Sequence, residues 1–500
     1  MTNDPWRAVF GIETEYGVSV AGLAPDQVPD PISLSEAVVR AVDVRAGGWR
    51  ADWNYADESP LVDARGTVLD RRTANPDLLT DVVEYDNVLL GNGARIYVDH
   101  AHPEHSGPEV TSAHQAVVYD RAGDTVMRRA AARAGEQSGV TVRLHKNNTD
   151  GKGHSYGCHE NYLVPRAVPF DDIVRGFTGH LVSRLVVAGA GRVGLGPRST
   201  RAGFQLGQRP DFFEARVGLE TTVHRPLVNT RDEPHADPRR FRRLHVITGD
   251  ATLSETATYV KVGAAALVLA AIDDGVRPPE LADPVAAFRD FSHDPSLTAS
   301  AATTTGERLT ALELQRRYFL AASDVAWEVF DDQDAVLRAW GSLLDDLEAD
   351  PARCADRLDW VAKYGLLEAM RRRDGLAWDH PKLAAIDLQY ADLDPDRGLF
   401  LALERAGRIV RRTSDAEVEA ATGAPPEGTR AWLRGQLLSR FPEAVVAANW
   451  DSVTLELPRG RVVNIRLTDP LQHTAAHDRD VVERADSAQQ LVVLLGERHG

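Results

Sequence analysis

The sequence predicts an α+β fold: a large domain built on a β-sheet and packed by helices, followed by a small C-terminal α+β domain. Three observations predict it. Several short segments alternate polar and apolar residues with a period of two, as half-buried strands do. Longer segments at Ser112 to Ala134 and Glu307 to Arg373 repeat their apolar residues at helical spacing. The chain has 500 residues, more than one simple core usually holds, and Pro425-Pro426-Glu427-Gly428 marks a break. The expected division is therefore 1–424 and 425–500.

The first strand, Phe10 to Gly17, places Glu13 and Glu15 on one face beside apolar neighbours. Two carboxylates so placed repel unless a cation lies between them. A helix is expected over Ser33 to Val44. From Ala46 to about Leu79 periodicity disappears, through Gly47-Gly48, Trp49, Trp53 and Asp63-Ala64-Arg65-Gly66. A structureless stretch of this length inside a compact domain is more often a functional lid than a passive connection. Its tryptophans could cover a substrate; a disordered insertion that touches nothing is the alternative.

A strand over Ala94 to His100 sets Arg95, Tyr97 and Asp99 on one face and Ile96 and Val98 on the other. Taken singly, either acidic segment reads as an ordinary edge strand with solvated charges. Together they make an oxygen-rich face, which a hard divalent ion requires. Magnesium reaches a protein through few carboxylates and often through phosphate oxygens as well, so a phosphate-bearing ligand is implied.

Further along, a helix is expected over Ser112 to Ala134 and a strand over Val140 to Lys146. A strand over Cys158 to Pro165 carries His159, Asn161 and Leu163 on one face and Glu160 and Tyr162 on the other. Helix Asp171 to Ala188 leads into a glycine-rich run, Gly189 to Pro197. A dinucleotide fingerprint would have to follow a strand, so this run is discounted. A strand over Arg243 to Thr248 holds His245, and a helix from Ser254 includes the apolar Val262 to Ile272. Past the break come a helix over Thr429 to Phe441 and strands over Ala444 to Leu457 and Val462 to Leu467. A lone histidine on a strand is more often a satisfied core residue, and a strand tryptophan an ordinary buried aromatic. The residues alone therefore leave His159, His245 and Trp450 open.

Composition excludes several classes. Hydrophobic content of 43% with 26% charged residues is that of a soluble globular protein. A formal charge of -17 argues against non-specific nucleic-acid binding, and no run of eighteen apolar residues suggests a membrane span. Cys158 and Cys354 cannot build a cysteine-based zinc site or a disulfide framework. With no basic segment followed by an apolar stretch at the N-terminus, a reducing, cytoplasmic location is expected. There is no G-x-S-x-G nucleophile motif.

The joint occurrence of Gly11-Ile12-Glu13-Thr14-Glu15-Tyr16-Gly17, Arg95-Ile96-Tyr97-Val98-Asp99, His102-Pro103-Glu104, Lys146-Asn147-Asn148-Thr149-Asp150 and His154 to Tyr162 resembles the Pup ligase and deamidase family. The resemblance runs through most of residues 7 to 250 and recurs near Trp450. It implies a glutamine synthetase-like fold in which a curved antiparallel sheet cradles ATP and magnesium. Pup is a small disordered tag protein, and the family's two branches run opposite chemistry on one isopeptide bond. One branch ligates the tag to lysines. The other deamidates its C-terminal glutamine and removes it from tagged proteins.

Two features favour the deamidase and depupylase branch. Asp99 is followed by His100-Ala101-His102-Pro103, one residue shorter than the ligase pattern. The 46–79 stretch also matches in position a loop that the ligases lack. By the resemblance, Glu13, Glu15 and Glu104 are magnesium ligands with Tyr97 beside them, and His159 and His245 lie near metal or phosphate. Arg95 contacts ATP phosphates, for which its guanidinium fork is suited. Ser106 and Gly107 stand where the ligase has a threonine ATP contact, leaving a backbone contact. Trp450 flanks the adenine, Arg231 meets the tag's terminal carboxylate, and Arg209 is a second, weaker candidate for that contact. The implied partners are Pup and pupylated proteins, with a functional link to the bacterial proteasome.

Amide hydrolysis needs a nucleophile, a polarised carbonyl and a proton for the departing nitrogen. Asp99 is assigned the first task, by attacking the γ-carbonyl or by activating a water. A Pup ligase, and a nucleotide-loaded Pup-binding module without catalysis, are the alternatives.

Overall fold

The computed structural model describes residues 6–24, 27–43, 48–49, 52–54, 59–70, 86–151, 153–194, 202–222 and 224–499. Seven antiparallel strands form the central sheet, in the order Phe241–Val246, Cys158–Pro165, Phe10–Glu15, His102–Ser106, Arg95–Asp99, Asn87–Leu90 and Gly48–Trp49.

The period-two alternation sorts this sheet into a packed face and a polar face. Phe10, Ile12, Tyr162, Leu244 and Val246 point into one core, against helices that include Glu255–Asp273. Ile96 and Val98 point into a second core with Val38, Val39 and Met127, from helices Pro31–Arg40 and Ala113–Ser138. Local chemistry sets the helix ends. Ser112 accepts the Gln115 N–H at the start of the 26-residue helix Ala113–Ser138, and Gly139 ends it at φ 71°. Glu255–Asp273 is long and apolar enough to cross a membrane, yet its residues 255–272 are buried, as in a core helix.

A third core lies around the C-terminal segment. Trp53, Leu89, Trp432, Leu437, Val453, Leu455 and Leu491 belong to it. Its sheet has the order Arg461–Arg466, Ser452–Leu457, Val445–Ala448 and Asp52–Trp53. Helices Ala475–Arg484 and Ala488–His499 complete it and were not anticipated.

Several elements depart from expectation. The 307–373 stretch is not continuously helical: strand Arg308–Thr310 precedes helices Ala311–Ser323, Gln333–Ala349 and Asp359–Asp374. Thr310 forms a capping box with Glu313, which starts a helix where a stripe was read as already running. Helix Asp171 to Ala188 is two pieces, Phe170–Ser183 and Leu185–Ala188, separated at Arg184. The expected single strand over Ala444 to Leu457 is a hairpin. Asn449 Oδ1 accepts from the Asp451 N–H and the Ser452 hydroxyl, which turns the chain and sets Trp450 at the tip.

The 46–79 stretch is neither structureless nor detached where it is described. Strand Gly48–Trp49 pairs with Leu89 and Leu90, and Asp52–Trp53 runs parallel to Ala447 and Ala448. The hairpin Val62–Asp63 and Thr67–Val68 docks on 230–232 through Ala64 N–H to Thr230 O at 2.8 Å and Asp232 N–H to Val62 O at 2.9 Å. Trp53 is buried in the third core rather than poised over a cleft. Residues 46–47, 50–51, 55–58 and 71–79 lie outside the described residues, as does the side chain of Trp49.

Candidate active site

Antiparallel register dictates which side chains meet, because directly opposed residues project from the same face. Across four strands His159 opposes Glu13, Glu13 opposes Ser106, and Ser106 opposes Arg95. The neighbouring row joins Glu15, Glu104, Tyr97 and Asn87, and the next pairs His102 with Asp99. Asn161 opposes His245 on the far strand. Ten expected site residues, namely Glu13, Glu15, Arg95, Tyr97, Asp99, Glu104, Ser106, His159, His245 and, by its edge position, Gly107, thus lie on or beside one polar face.

Two groups on this face are arranged to hold cations. Glu15, Asp99 and Glu104 each offer a ligand atom within 4.8 Å of the others, and so do Glu13, His159 and His245. The first group is all oxygen, which suits magnesium. Burial, reinforced by the charges of Asp99, Glu13 and Glu15, holds the Glu104 carboxyl well above the usual carboxylate range. It accepts from the Tyr97 hydroxyl at 2.5 Å and the Ser106 hydroxyl at 3.0 Å. No cationic side chain is bonded to it among the described residues. Burial acts to raise Glu15 too, but His102, His159 and Arg209 outweigh it and hold Glu15 at about 2. A Cβ at residue 157 would stand 2.6 Å from Glu15 Oε1, so only glycine lets the Gly157 N–H reach that oxygen, at 2.7 Å.

The second group is oriented by Asn161, a residue given no role from sequence. Its Nδ2 donates to Glu13 Oε1 at 2.8 Å, while its Oδ1 accepts from Arg243 Nη1 at 2.8 Å and faces His245 Nδ1 at 2.9 Å. That arrangement assigns the proton to His245 Nδ1 and leaves Nε2 as the free ligand atom. Burial and Arg243 push the His245 imidazole well below 6.5, so it is neutral, as a metal ligand must be. Burial opposes the ionisation of Glu13, but His159, His245 and Arg243 overcome it and keep its carboxyl far below the ordinary range.

Beside these groups opens a cleft lined by Gly11, Glu13, Ser106, Gly107, Arg243 and Trp450. Glu109 fastens the C-terminal segment to the cleft, accepting from Arg430 Nε at 2.8 Å and from Arg434 Nη2 at 2.5 Å. Burial tends to raise Glu109, yet the two guanidinium groups hold it at about 2. Arg434 also donates to Trp450 O at 2.9 Å, fixing the hairpin tip that carries the indole.

Two expectations narrow. The Gly107 N–H donates to Ile12 O at 2.9 Å, so that donor is engaged within the protein. Arg209 is 1% exposed, and its guanidinium bonds Ile247 O and the Ser155 hydroxyl, so it is engaged in the interior rather than offered to a substrate carboxylate. Arg231 is partly exposed, and its Nε has no hydrogen-bond partner among the described residues. Asp99 is one-third exposed, with Oδ1 3.0 Å from His100 Nδ1. Arg243 and His102 were missed; both lie on the polar face at the same parity as expected residues, which was the available signal.

A model of the family described as Pup-ligase protein matches residues 8–454. A depupylase of Acidothermus cellulolyticus is 48% identical over 97% of this chain and 99% of its own length. A Pup deamidase/depupylase of Mycolicibacterium smegmatis is 46% identical over the same shares. Relatives named Pup–protein ligase stand at 37 to 41%. Among solved structures, the ligase PafA in complex with Pup superimposes with a TM-score of 0.79 at 31% identity, covering 98% of this chain and 94% of that one. PafA in complex with ADP gives 0.72 at 33% identity, covering 83% and 95%. With nearly its whole length matched by the family model and by these relatives, the chain belongs to the Pup-ligase family.

Proposed function

We propose that this chain is a Pup deamidase and depupylase, hydrolysing the side-chain amide of Pup's C-terminal glutamine and the isopeptide bond between Pup and substrate lysines. One observation carries the reading: the Asp99 carboxylate stands at the exposed end of the polar face, within 4.8 Å of the Glu15 and Glu104 ligand atoms. The higher identity to relatives named for this activity supports the branch over the ligase.

ATP with magnesium is the proposed resident cofactor, supplying positive charge and phosphate oxygens that complete the electrostatic site. Glu13, Glu15, Glu104, His159 and His245 would hold the metal, Arg95 the phosphates and Trp450 the adenine side. Residues 425–500 would act as a nucleotide-side domain on a catalytic domain of 1–424, a division supported by the third core and the Glu109 clamp. Arg231 would meet the tag's terminal carboxylate. The two buried free thiols, Cys158 and Cys354, support a reducing, cytoplasmic setting.

Asp99 acts in one of two ways. Its carboxylate attacks the γ-carbonyl, the C–N bond breaks, and the nitrogen leaves protonated as ammonia or as the lysine amine; water then cleaves the resulting anhydride. Otherwise Asp99 takes a proton from water, whose oxygen attacks the same carbon; the C–N bond then breaks as that proton passes to the departing nitrogen. Label in Asp99 after a single turnover in 18O-water requires the first route, with water opening the anhydride at the Asp99 carbonyl.

The test of the function is mass spectrometry of Pup ending in glutamine after exposure to the protein with ATP and magnesium. The mass change of amide to acid is expected. An unchanged tag, or conjugates growing with ADP when Pup ending in glutamate meets a lysine-bearing protein, would overturn the reading in favour of a binding module or a ligase respectively.

A further inference from the structure

Trp53 has no part in the chemistry above, yet it touches both ends of the proposed nucleotide site. The Arg95 guanidinium carbon lies 3.9 Å from the Trp53 ring centroid and 4.0 Å from that of Tyr97, so the cation is held by two aromatic rings. Arg95 Nε donates to Asn87 Oδ1 at 2.7 Å, which fixes the plane of the fork. The Trp53 indole also meets the Trp450 indole edge to face, with centroids 5.3 Å apart and planes at 72°.

Main-chain pairing holds Trp53 there. It opposes Ala448 in the C-terminal sheet, and the Asn54 N–H donates to Ala448 O at 2.9 Å. Gly48–Trp49, just upstream, pairs with Asn87–Leu90 in the central sheet. These two short strands therefore reach the strand next to Arg95 and the hairpin that carries Trp450.

Stacking suits a guanidinium because it engages the flat face rather than the N–H donors at the rim, which are the atoms a phosphate recognises. A long side chain fixed in this way has already lost much of the rotamer freedom that binding would otherwise remove. We infer that Trp53 is a positioning residue of the nucleotide site, presetting Arg95 on one side and buttressing Trp450 on the other. Strand Asp52–Trp53 is then a working part of that site rather than a cover over the substrate. The inference rests on the reading of Arg95 and Trp450 as nucleotide contacts.

The test uses the full chain and Mg-ATP in titration calorimetry, with Trp53→Leu, Trp53→Phe, Arg95→Ala and the Trp53→Leu/Arg95→Ala double variant. Trp53→Leu keeps apolar bulk without an aromatic face and should weaken ATP binding about 3- to 30-fold. Trp53→Phe should stay within about twofold to threefold of the parent, since phenylalanine retains a π face. The loss for Trp53→Leu should appear in KM for ATP, with kcat at saturating ATP changing less. Most of the Trp53→Leu loss should vanish in the Arg95→Ala background.

Equal losses for leucine and phenylalanine, or an undiminished loss without Arg95, would overturn the inference. Trp53→Met replaces Trp53→Leu should the latter not fold; if neither aliphatic variant folds, Trp53 is a structural residue and the inference falls. A parent protein that binds no ATP, or an Arg95→Ala variant with parental affinity, would instead sink the nucleotide reading beneath it.

Discussion

Replacing Glu104 with glutamine should stabilise the metal-free protein while abolishing turnover. The ligand oxygens of Glu15, Asp99 and Glu104 lie within 4.8 Å of one another. At an effective dielectric of about 20, two unit charges at that distance repel by about 3.5 kcal/mol, so full ionisation of the three would cost roughly 10 kcal/mol. Burial and its neighbours instead raise the Glu104 carboxyl, which keeps its proton in the absence of metal. A group whose pKa is raised by folding contributes stability that is complete below its unfolded value, near 4.5, and is lost as pH rises through the folded value. The metal-free parent should therefore weaken towards alkaline pH relative to Glu104→Gln.

Glutamine still accepts from Tyr97 and Ser106 but carries no charge. Because protonation already relieves part of the repulsion in the parent, the gain at pH 8.5 should be about 1–3 kcal/mol rather than the full Coulomb sum. For a cooperative unit of this size that is a rise in Tm of about 1–3 °C. Calorimetric melts in EDTA at pH 5.5, 7 and 8.5 measure it. With Mg-ATP added, the parent should gain stability and the variant should gain much less. A variant that melts below the parent in EDTA, or a gap that narrows as pH rises, would refute the reasoning.

Asp99→Asn should abolish amide cleavage while leaving Pup affinity within about twofold to threefold, as expected of a group that acts in the transition state; substantial residual turnover would remove Asp99 from its role. Arg184 bonds Glu160 in a bidentate pair at 2.7 Å, with both side chains buried. Arg184→Met should cost about 3–5 kcal/mol in chemical denaturation, and Glu160→Met with it should recover much of that. The Glu109 carboxyl, held at about 2, contributes stability present above pH 4.5 and lost as pH falls towards 2. Glu109→Gln should therefore be about 3 kcal/mol less stable at pH 7 and indistinguishable near pH 2; a constant deficit across that range would contradict the assignment.

Much of the polar face was legible because a strand packed on one side must alternate. Ile96 and Val98 had to be buried, which turned Arg95, Tyr97 and Asp99 outward together. Which strands lie side by side is a non-local fact, and no local pattern carries it. That is why Arg243, two residues from His245 on the same face, and Asn161, which orients that histidine, had no role until register joined them to Glu13. Two-residue strands such as Gly48–Trp49 and Asp52–Trp53 are too short for periodicity and exist through pairing with distant chain. The turn at Trp450 was signalled by Asn449 and Asp451, but the apolar residues on both sides read as one strand. The C-terminal helices carry mixed polar faces and little apolar rhythm, so packing against the third core defines them.

The central claim is that this sheet face holds metal and nucleotide against Asp99. Anomalous diffraction from crystals grown with ATP and manganese tests it most directly. Manganese peaks should lie within about 2–2.5 Å of oxygens from Glu13, Glu15 and Glu104, with the triphosphate running from the Trp450 cleft towards Asp99. Peaks elsewhere, or a triphosphate remote from Asp99, would contradict it.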